Sequence, residues 1–375
     1  MSDRLRILMP SIYFPPRVGG IESHVYYLAR ELVRRGHGVH VVTTHTESGS
    51  PRRENMDGIE VTRLASFGKH FIGWSLGSLS SAPDIVRLAG GCDIVHCHTF
   101  ASALGGDVAA VFRGSPLVVT VHSSHFLRLA RNPLMRHVMK LLLMKAGALL
   151  STSEEIDGVV RDMLPGAYTL PIVNGIDTDT FRPSEPCLER PEGVFVIVCP
   201  RRLVTKNGVE YLVRALPLVA REMPVRAYLA GDGPLRQELE SLARGLGVRD
   251  RIEFMGSVEN VKMPNVYSSA DLIVIPSLVE ATSIAALEAM SCERTVAASR
   301  VGGLPEIIDE SVGLLFESGS PEAAAGAILK AARDADRLKL GRAARERVVA
   351  NWSIQSMADV HMEVYMKVIG ERQRD

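Results

Sequence analysis

The 375-residue sequence predicts an α/β protein made of two doubly wound parallel-sheet domains. Short β-branched runs alternate with longer segments of helical period almost from the first residue, the pattern of strand–helix–strand units. A turn-rich, proline-containing stretch interrupts that alternation near the middle. The length also exceeds the roughly 250–300 residues at which one hydrophobic core stops growing. The expected boundaries are 1–178 for a first Rossmann-like domain and 190–352 for a second, with a final amphipathic helix at about 353–375 packing back on the first.

In order along the chain, "LRILMP" reads as a strand, "GIESHVYYLARELVRRG" as a helix closed by Gly36, and "GVHVVTT" as the next strand. "GIEVTRLA", "DIVHCH", "SPLVVTVH" and "ALLSTS" continue the series with helices in the gaps, and "YTLPIVNGIDTDTFRP" ends it. That Asn-Gly and proline-containing stretch, followed by "SEPCLERPEG", is the linker candidate, because prolines and turn formers replace periodic apolar residues. "VFVIVCP", "VRAYLAG", "RIEFMG", "ADLIVIPS", "RTVAAS" and "GLLF" form the second series, and "NWSIQSMADVHMEVYMKVIG" the closing helix. Open α/β sheets bind ligands outside the carboxyl ends of their strands, so two facing domains are expected to enclose a substrate cleft.

Lys plus Arg and Asp plus Glu balance at 43 each, which leaves no electrostatic footprint for nucleic acid. The five cysteines are scattered, odd in number and without CxxC spacing, so reduced thiols in the cytoplasm are expected. The N-terminus lacks the apolar core of a signal peptide, and no run approaches the ~20 apolar residues of a membrane span.

The chemistry-bearing residues cluster just after strands. "PPRVGGIESHV" places Gly19 and Gly20 at a helix start, where free N–H groups suit a phosphate; a tight turn accounts for them equally well. It is not GxGxxG, so the dinucleotide fingerprint fails. "GDGPLRQELE" repeats the arrangement with Gly231 and Gly233, and Pro234 is expected early in the following helix. "CPRRLVTKNG" offers Arg201, Arg202 and Lys206 to a leaving diphosphate.

Ten of the eleven histidines precede residue 138, and His96, His98, His122 and His125 follow two strands closely enough to share one wall. Their HxH and HxxH spacings lack a carboxylate or cysteine partner, so a metal is not expected, and His122 is the hydrogen-bonding candidate. In "SLVEATSIAALEAM", Glu280 lies in the loop after a strand and Glu288 inside the next helix, capped by Thr282 or Ser283. Carboxylates accept hydrogen bonds from hydroxyl pairs, so the two suit a sugar and a ribose with a helix N-terminus between them.

Taken in order, "VGGIESH", "VNGID", "RRLVTKNG", "GDGPLR" and the block "VYSSADLIVIPSLVEATSIAALEAMSCERTVAASRVGGLPEII" resemble the retaining glycosyltransferases of family 4, which have the GT-B fold. The last block is similar to the family's ExxxxxxxE region followed by a Gly-Gly-x-Pro-Glu turn. The resemblance covers nearly the whole chain and implies a nucleotide-sugar donor, UDP- or GDP-linked, held mainly by the second domain. It implies an acceptor held by the first domain, with no cofactor and no required metal. Glu280 matches the glutamate on the donor-sugar hydroxyls, Glu288 the one on the ribose, Arg202 the arginine on the diphosphate, Gly20 the glycine loop, and His122 the histidine near the sugar. The catalytic set is then His122, Arg202, Lys206 and Glu280. Donor contacts are expected from Gly19, Gly20, Arg201, Gly231, Gly233, Ala281, Thr282, Ser283, Ile284 and Glu288.

Two departures stand out. The family often has Glu-Gly-Phe-Gly where this chain has Glu280, Ala281, Thr282 and Ser283. It also places a lysine five positions after its arginine, where this chain has Asn207; counting from Arg201 to Lys206 restores the spacing. The rival readings are a glycoside hydrolase with Glu280 and Glu288 as acid and base, and a non-catalytic sugar- or nucleotide-binding protein. The acceptor is expected to be a lipid, a glycan or a small molecule. "KHFIGWSLG" and "RLARNPLMRHVMKLLLMK" mix basic and apolar residues, which raises peripheral contact with the inner face of the membrane; core-facing helices with solvated basic edges are the alternative.

Overall fold

The computed structural model describes residues 4–17, 19–44, 50–64, 71–122, 124–172, 175–280 and 283–372, with backbone alone at 44, 71–79, 101 and 124. The chain divides into two compact units, Met1–Gly175 with Ile354–Asp375, and Ile176–Ser353.

The first unit holds an eight-stranded sheet of β1 (Arg6–Pro10), β2 (Gly38–Thr44), β3 (Arg53–Met56), β4 (Ile59–Leu64), β5 (Ile94–His98), β6 (Leu117–Val121), β7 (Ala148–Ser151) and β8 (Thr169–Pro171). Its order is β3-β4-β2-β1-β5-β6-β7-β8, parallel except for β3, which runs antiparallel to β4. The inner strands β5 and β6 are buried along their whole length, as strands covered on both faces must be. Direction of travel reverses between β1 and β5, the topological switch point where open sheets take ligands.

Helix Gly20–Arg34 follows β1 and buries Val25, Leu28, Ala29 and Leu32 on one face. Helix Ile354–Arg372 lays Met357, Ala358, Val364, Tyr365, Val368 and Ile369 into the same core. The unit is thus closed by a segment nearly 180 residues downstream of the rest.

The second unit holds β9 (Phe195–Cys199), β10 (Val225–Ala230), β11 (Ile252–Gly256), β12 (Leu272–Ile275), β13 (Val296–Ser299) and β14 (Gly313–Phe316). They form one parallel sheet in the order β11-β10-β9-β12-β13-β14, with the switch point between β9 and β12.

Two local expectations are corrected and one element is added. The stretch read as a linker is held to the second unit: the Ser268 hydroxyl accepts from the Ser184 amide at 2.9 Å, and the Ser269 hydroxyl from Cys187 and Leu188 at 2.8 and 3.0 Å. These hydroxyls satisfy backbone that prolines keep out of regular structure. Pro234 stands before the helix Arg236–Gly245, in a turn whose Leu235 amide donates to the Leu203 carbonyl at 3.1 Å. The β3–β4 hairpin is new; Asp57 and Gly58 make its turn with φ of 52° and 83°, the mirror-image geometry that suits strand twist.

Candidate active site

At the switch point of the second unit, the loop after β9 meets the loop after β12. Arg201, from the first, forms an ion pair with Glu280, from the second, and both side chains are nearly buried, at 11% and 14% exposure. The same guanidinium donates to Ser277 Oγ at 2.9 Å and Asn207 Oδ1 at 3.0 Å, and Ser277 Oγ donates to Glu280 Oε2 at 3.3 Å. Among the described residues, the bonds to Glu280 fall on Oε2. A carboxylate so fixed has one oriented oxygen committed to protein.

Backbone holds the two loops together. The Lys206 carbonyl accepts from the amides of Leu278 and Val279 at 2.8 and 3.2 Å. Asn207, which stands where the family places its lysine, is buried and donates to the Arg202 carbonyl at 2.8 Å. Arg202 and Lys206 are exposed. Of the two arginines, therefore, Arg201 reaches the carboxylate and Arg202 does not share its partners.

Glycines let these segments close on one another. A Cβ at Gly231 would stand 2.2 Å from the Arg201 carbonyl oxygen, and one at Gly233 would stand 2.4 Å from that of Leu203. The "GDG" turn is therefore packed against the arginine loop, which accounts for both glycines without a ligand. Gly302, in the Gly-Gly-x-Pro-Glu turn after β13, has φ of 52°, and a Cβ there would meet the Glu280 carbonyl oxygen at 1.6 Å.

Ser283 caps the helix Ile284–Ser291, its Oγ accepting from the Ala286 amide at 3.3 Å, and Ile284 opens that helix. Glu288 is buried in it and accepts a 2.8 Å bond from Tyr267 Oη. Burial raises its pKa to about 7, with the tyrosine bond pulling the other way. Ala281 and Thr282 lie outside the described residues.

In the first unit, Gly19 is the N-cap residue and Gly20 the first residue of helix Gly20–Arg34. Glu22 sits against Gly19 and pairs with Arg17 at 3.1 Å, so a carboxylate of the chain itself stands at this helix start. Five imidazoles gather below it: His24 from that helix, His96 and His98 from β5, His122 just past β6, and His361 from helix Ile354–Arg372. His96 is hydrogen-bonded to Tyr365 Oη at 2.6 Å and Thr120 Oγ1 at 2.7 Å, and His361 Nδ1 donates to the Met357 carbonyl at 2.7 Å. His122 Nε2 lies 3.5 Å from His98 Nδ1.

Burial drives these rings toward neutrality. His96 and His98 fall well below the usual histidine value, His122 to about 3 and His361 to about 4. His125, expected beside them, lies in the helix Ser124–Ala130 and is hydrogen-bonded to Arg128 at 2.7 Å.

A family profile described as Glycosyltransferase Family 4 matches residues 18–180, and one described as Glycosyl transferases group 1 matches residues 194–334. The chain is 30% identical to an uncharacterized glycosyltransferase of Methanocaldococcus jannaschii, over 96% of this chain and 98% of that one. It belongs to glycosyltransferase family 4.

This glycosyltransferase is also 32% identical to a phosphatidylinositol N-acetylglucosaminyltransferase polypeptide of Arabidopsis thaliana, over 84% of this chain and 71% of that one. In fold it is similar to sucrose-phosphate synthase from Thermosynechococcus elongatus, with a TM-score of 0.82 and 22% identity over 98% and 100% of the two chains. Anabaena Alr3699/HepE, solved in complex with UDP, gives 0.76 and 21% over 97% and 100%. The two units are the Rossmann-like domains of a GT-B transferase.

Within that family 4 site, four contributors stand outside the expected set of site residues. Tyr267 holds Glu288, Asn207 and Ser277 hold Arg201, and Gly302 lies against the Glu280 backbone. Gly302 alone had a signal, the paired glycines following β13.

Proposed function

We propose that this glycosyltransferase moves a sugar from a UDP- or GDP-sugar to an acceptor hydroxyl with retention of anomeric configuration. The observation that carries the reading is the Arg201–Glu280 pair at the switch point of the second sheet, with Glu288 about one and a half helix turns beyond the Ser283 cap. Glu280 is the group for the donor-sugar hydroxyls and Glu288 for the ribose. Arg201, Arg202 and Lys206 supply positive charge for the diphosphate, which is why no metal is required.

In the transfer, the bond from the anomeric carbon to the diphosphate oxygen breaks and the nucleoside diphosphate leaves. The acceptor oxygen bonds the same face of that carbon, and its proton passes to the departing phosphate. Glu280 serves as a binding group, since it is neutralised by Arg201 and not free to attack. The first unit is the acceptor side, with His122 near the sugar. A hydrolytic acid–base pair is disfavoured: Glu288 is buried on Tyr267, and the relatives are transferases.

The name of the Arabidopsis relative supports an inositol-bearing lipid among lipid, glycan and small-molecule acceptors. Peripheral contact with the inner face of the membrane belongs to the same proposal. Helix Pro133–Leu143 and its end expose Leu134, Leu141 and Met144 beside Arg131, Lys140 and Lys145, a basic amphipathic surface. No helix among the described residues is long and apolar enough to cross a membrane. The "KHFIGWSLG" segment lies outside the described residues up to His70, and beyond it only backbone is described.

The deciding experiment is a panel of UDP-, GDP- and ADP-sugars with EDTA present, scored by thermal stabilisation and by transfer to phosphoinositide, glycan and soluble acceptors. Glu280→Gln is expected to lower transfer sharply with the fold intact; normal turnover refutes its assignment. Co-sedimentation with liposomes should rise with anionic lipid, and binding indifferent to it removes the membrane contact.

A further inference from the structure

The imidazole cluster of the first unit has a feature that sugar transfer does not use. His24, His98 and His122 each present one ring nitrogen, and these three atoms lie within 4.8 Å of one another. All three residues are buried, at 1%, 0% and 5% exposure. They come from three separate elements: the helix after β1, the last position of β5 and the residue following β6.

The spacing has a chemical meaning. Two nitrogens bound to one tetrahedral Zn²⁺ at about 2.0–2.1 Å stand about 3.3 Å apart. His122 Nε2 and His98 Nδ1 are 3.5 Å apart, close to that edge and at the far limit of a hydrogen bond. The other nitrogen of that ring, His98 Nε2, is buried with no hydrogen-bond partner among the described residues, so neither nitrogen of His98 has a close hydrogen bond there. Beside the three stand the rings of His96 and His361, themselves held by Tyr365, Thr120 and the Met357 carbonyl.

We propose that His24, His98 and His122 form a binding site for one nitrogen-preferring divalent transition-metal ion of the Zn²⁺ or Co²⁺ type. Three neutral imidazoles leave a fourth position for water, the arrangement of an open zinc site. The absence of oxygen ligands in the set excludes Mg²⁺ and Ca²⁺. A nitrogen pair at the 4.8 Å limit closes by ring rotation and a shift of about 1.5 Å on binding. The ion takes no part in sugar transfer; bound, it occupies the ring of His122.

The test is a titration of the full-length, EDTA-treated and dialysed protein with CoCl2, followed by visible absorption and calorimetry. One equivalent per chain is expected, with the intense bands of tetrahedral cobalt, bleached by ZnCl2 and untouched by MgCl2. His24→Gln and His98→Gln, checked for folding by circular dichroism, should each weaken binding by at least about tenfold. Weak octahedral bands, or tetrahedral binding that survives both substitutions, overturn the proposal. Should a variant unfold, the wild-type spectrum decides alone, and the lack of a tetrahedral band refutes the site. The readout is independent of turnover, so its failure leaves the transferase reading standing.

Discussion

Gly302→Ala moves the Glu280 loop without touching the side chain that is expected to meet the sugar. The new Cβ would lie 1.6 Å from the Glu280 carbonyl oxygen, and real contacts of this kind stay beyond 3.0 Å. The loop must therefore retreat by about 1.4 Å or Gly302 must leave its φ of 52°. The left-handed conformation costs an alanine about 1–2 kcal/mol, and relieving the overlap costs about 1–3 kcal/mol more. Against a total stability of about 5–15 kcal/mol the protein stays folded but loses several degrees of Tm.

A misplacement of about 1 Å at a positioning element lowers turnover about 100-fold, and that is the expected fall in kcat. Gly247→Ala is the control: its φ of 71° carries the same backbone strain, but nothing lies within 4 Å of its Cβ. It should lose about 1–2 kcal/mol in urea denaturation and keep its transfer rate. The measurements are initial rates at saturating donor and denaturation curves for both variants. Gly302→Ala with wild-type kcat, or Gly247→Ala equally impaired, would refute the link between this turn and the carboxylate.

Arg201→Lys keeps the charge but ends short of the Nη2 nitrogen that meets Glu280, Ser277 and Asn207, so activity should fall at least about tenfold, while Arg202→Lys, at an exposed position, should cost less; reversal of that order in parallel rate assays refutes the assignment. Tyr267→Phe removes the bond that pulls the Glu288 pKa down from its buried value, so an isotope-edited infrared titration should find that carboxyl above about 7; a fall refutes it. The acid limb of stability is set by opposite signs. His122 and His361, depressed from 6.5 to about 3 and about 4, contribute stability that is complete above pH 6.5 and lost as pH falls. Glu288, raised from 4.5 to about 7, contributes stability lost as pH rises through that interval. The two histidines outweigh the one glutamate, so urea denaturation between pH 6.5 and 5 should lose about 1 kcal/mol per pH unit; constant or rising stability contradicts this.

The alternation of apolar runs and helical segments made the two sheets legible, because strands buried on both faces leave continuous Val, Ile and Leu signatures. The positions of Glu280 and Arg201 were legible for the same reason: residues just past a strand stand at the ligand end of the sheet. What was not legible depends on contacts across long separations. His24 and His361 join the histidine cluster from helices whose spacing resembles any core-facing stripe, and only the fold brings them to β5. The hairpin of β3 was missed although Asp57-Gly58 announces its turn, since "RENM" carries none of the apolar character expected of a strand. Asn207 shows the limit of motif matching: it stands five residues after Arg202, where the resemblance places a lysine, and only the structure shows its amide spent on the Arg202 carbonyl and the Arg201 guanidinium.

The second unit is an insertion within the first. The chain leaves the first unit at Gly175 and returns at Ile354, and Ile176 and Ser353 bridge one another where the two crossings occur. Assembly order during synthesis follows from this. The second unit has all of its sequence once Ser353 is made, whereas the first, begun earlier, waits for Tyr365 to reach His96 and for the last helix to cover its core. A premature stop near residue 353 would therefore spare the half of the protein synthesised last and leave unfinished the half synthesised first.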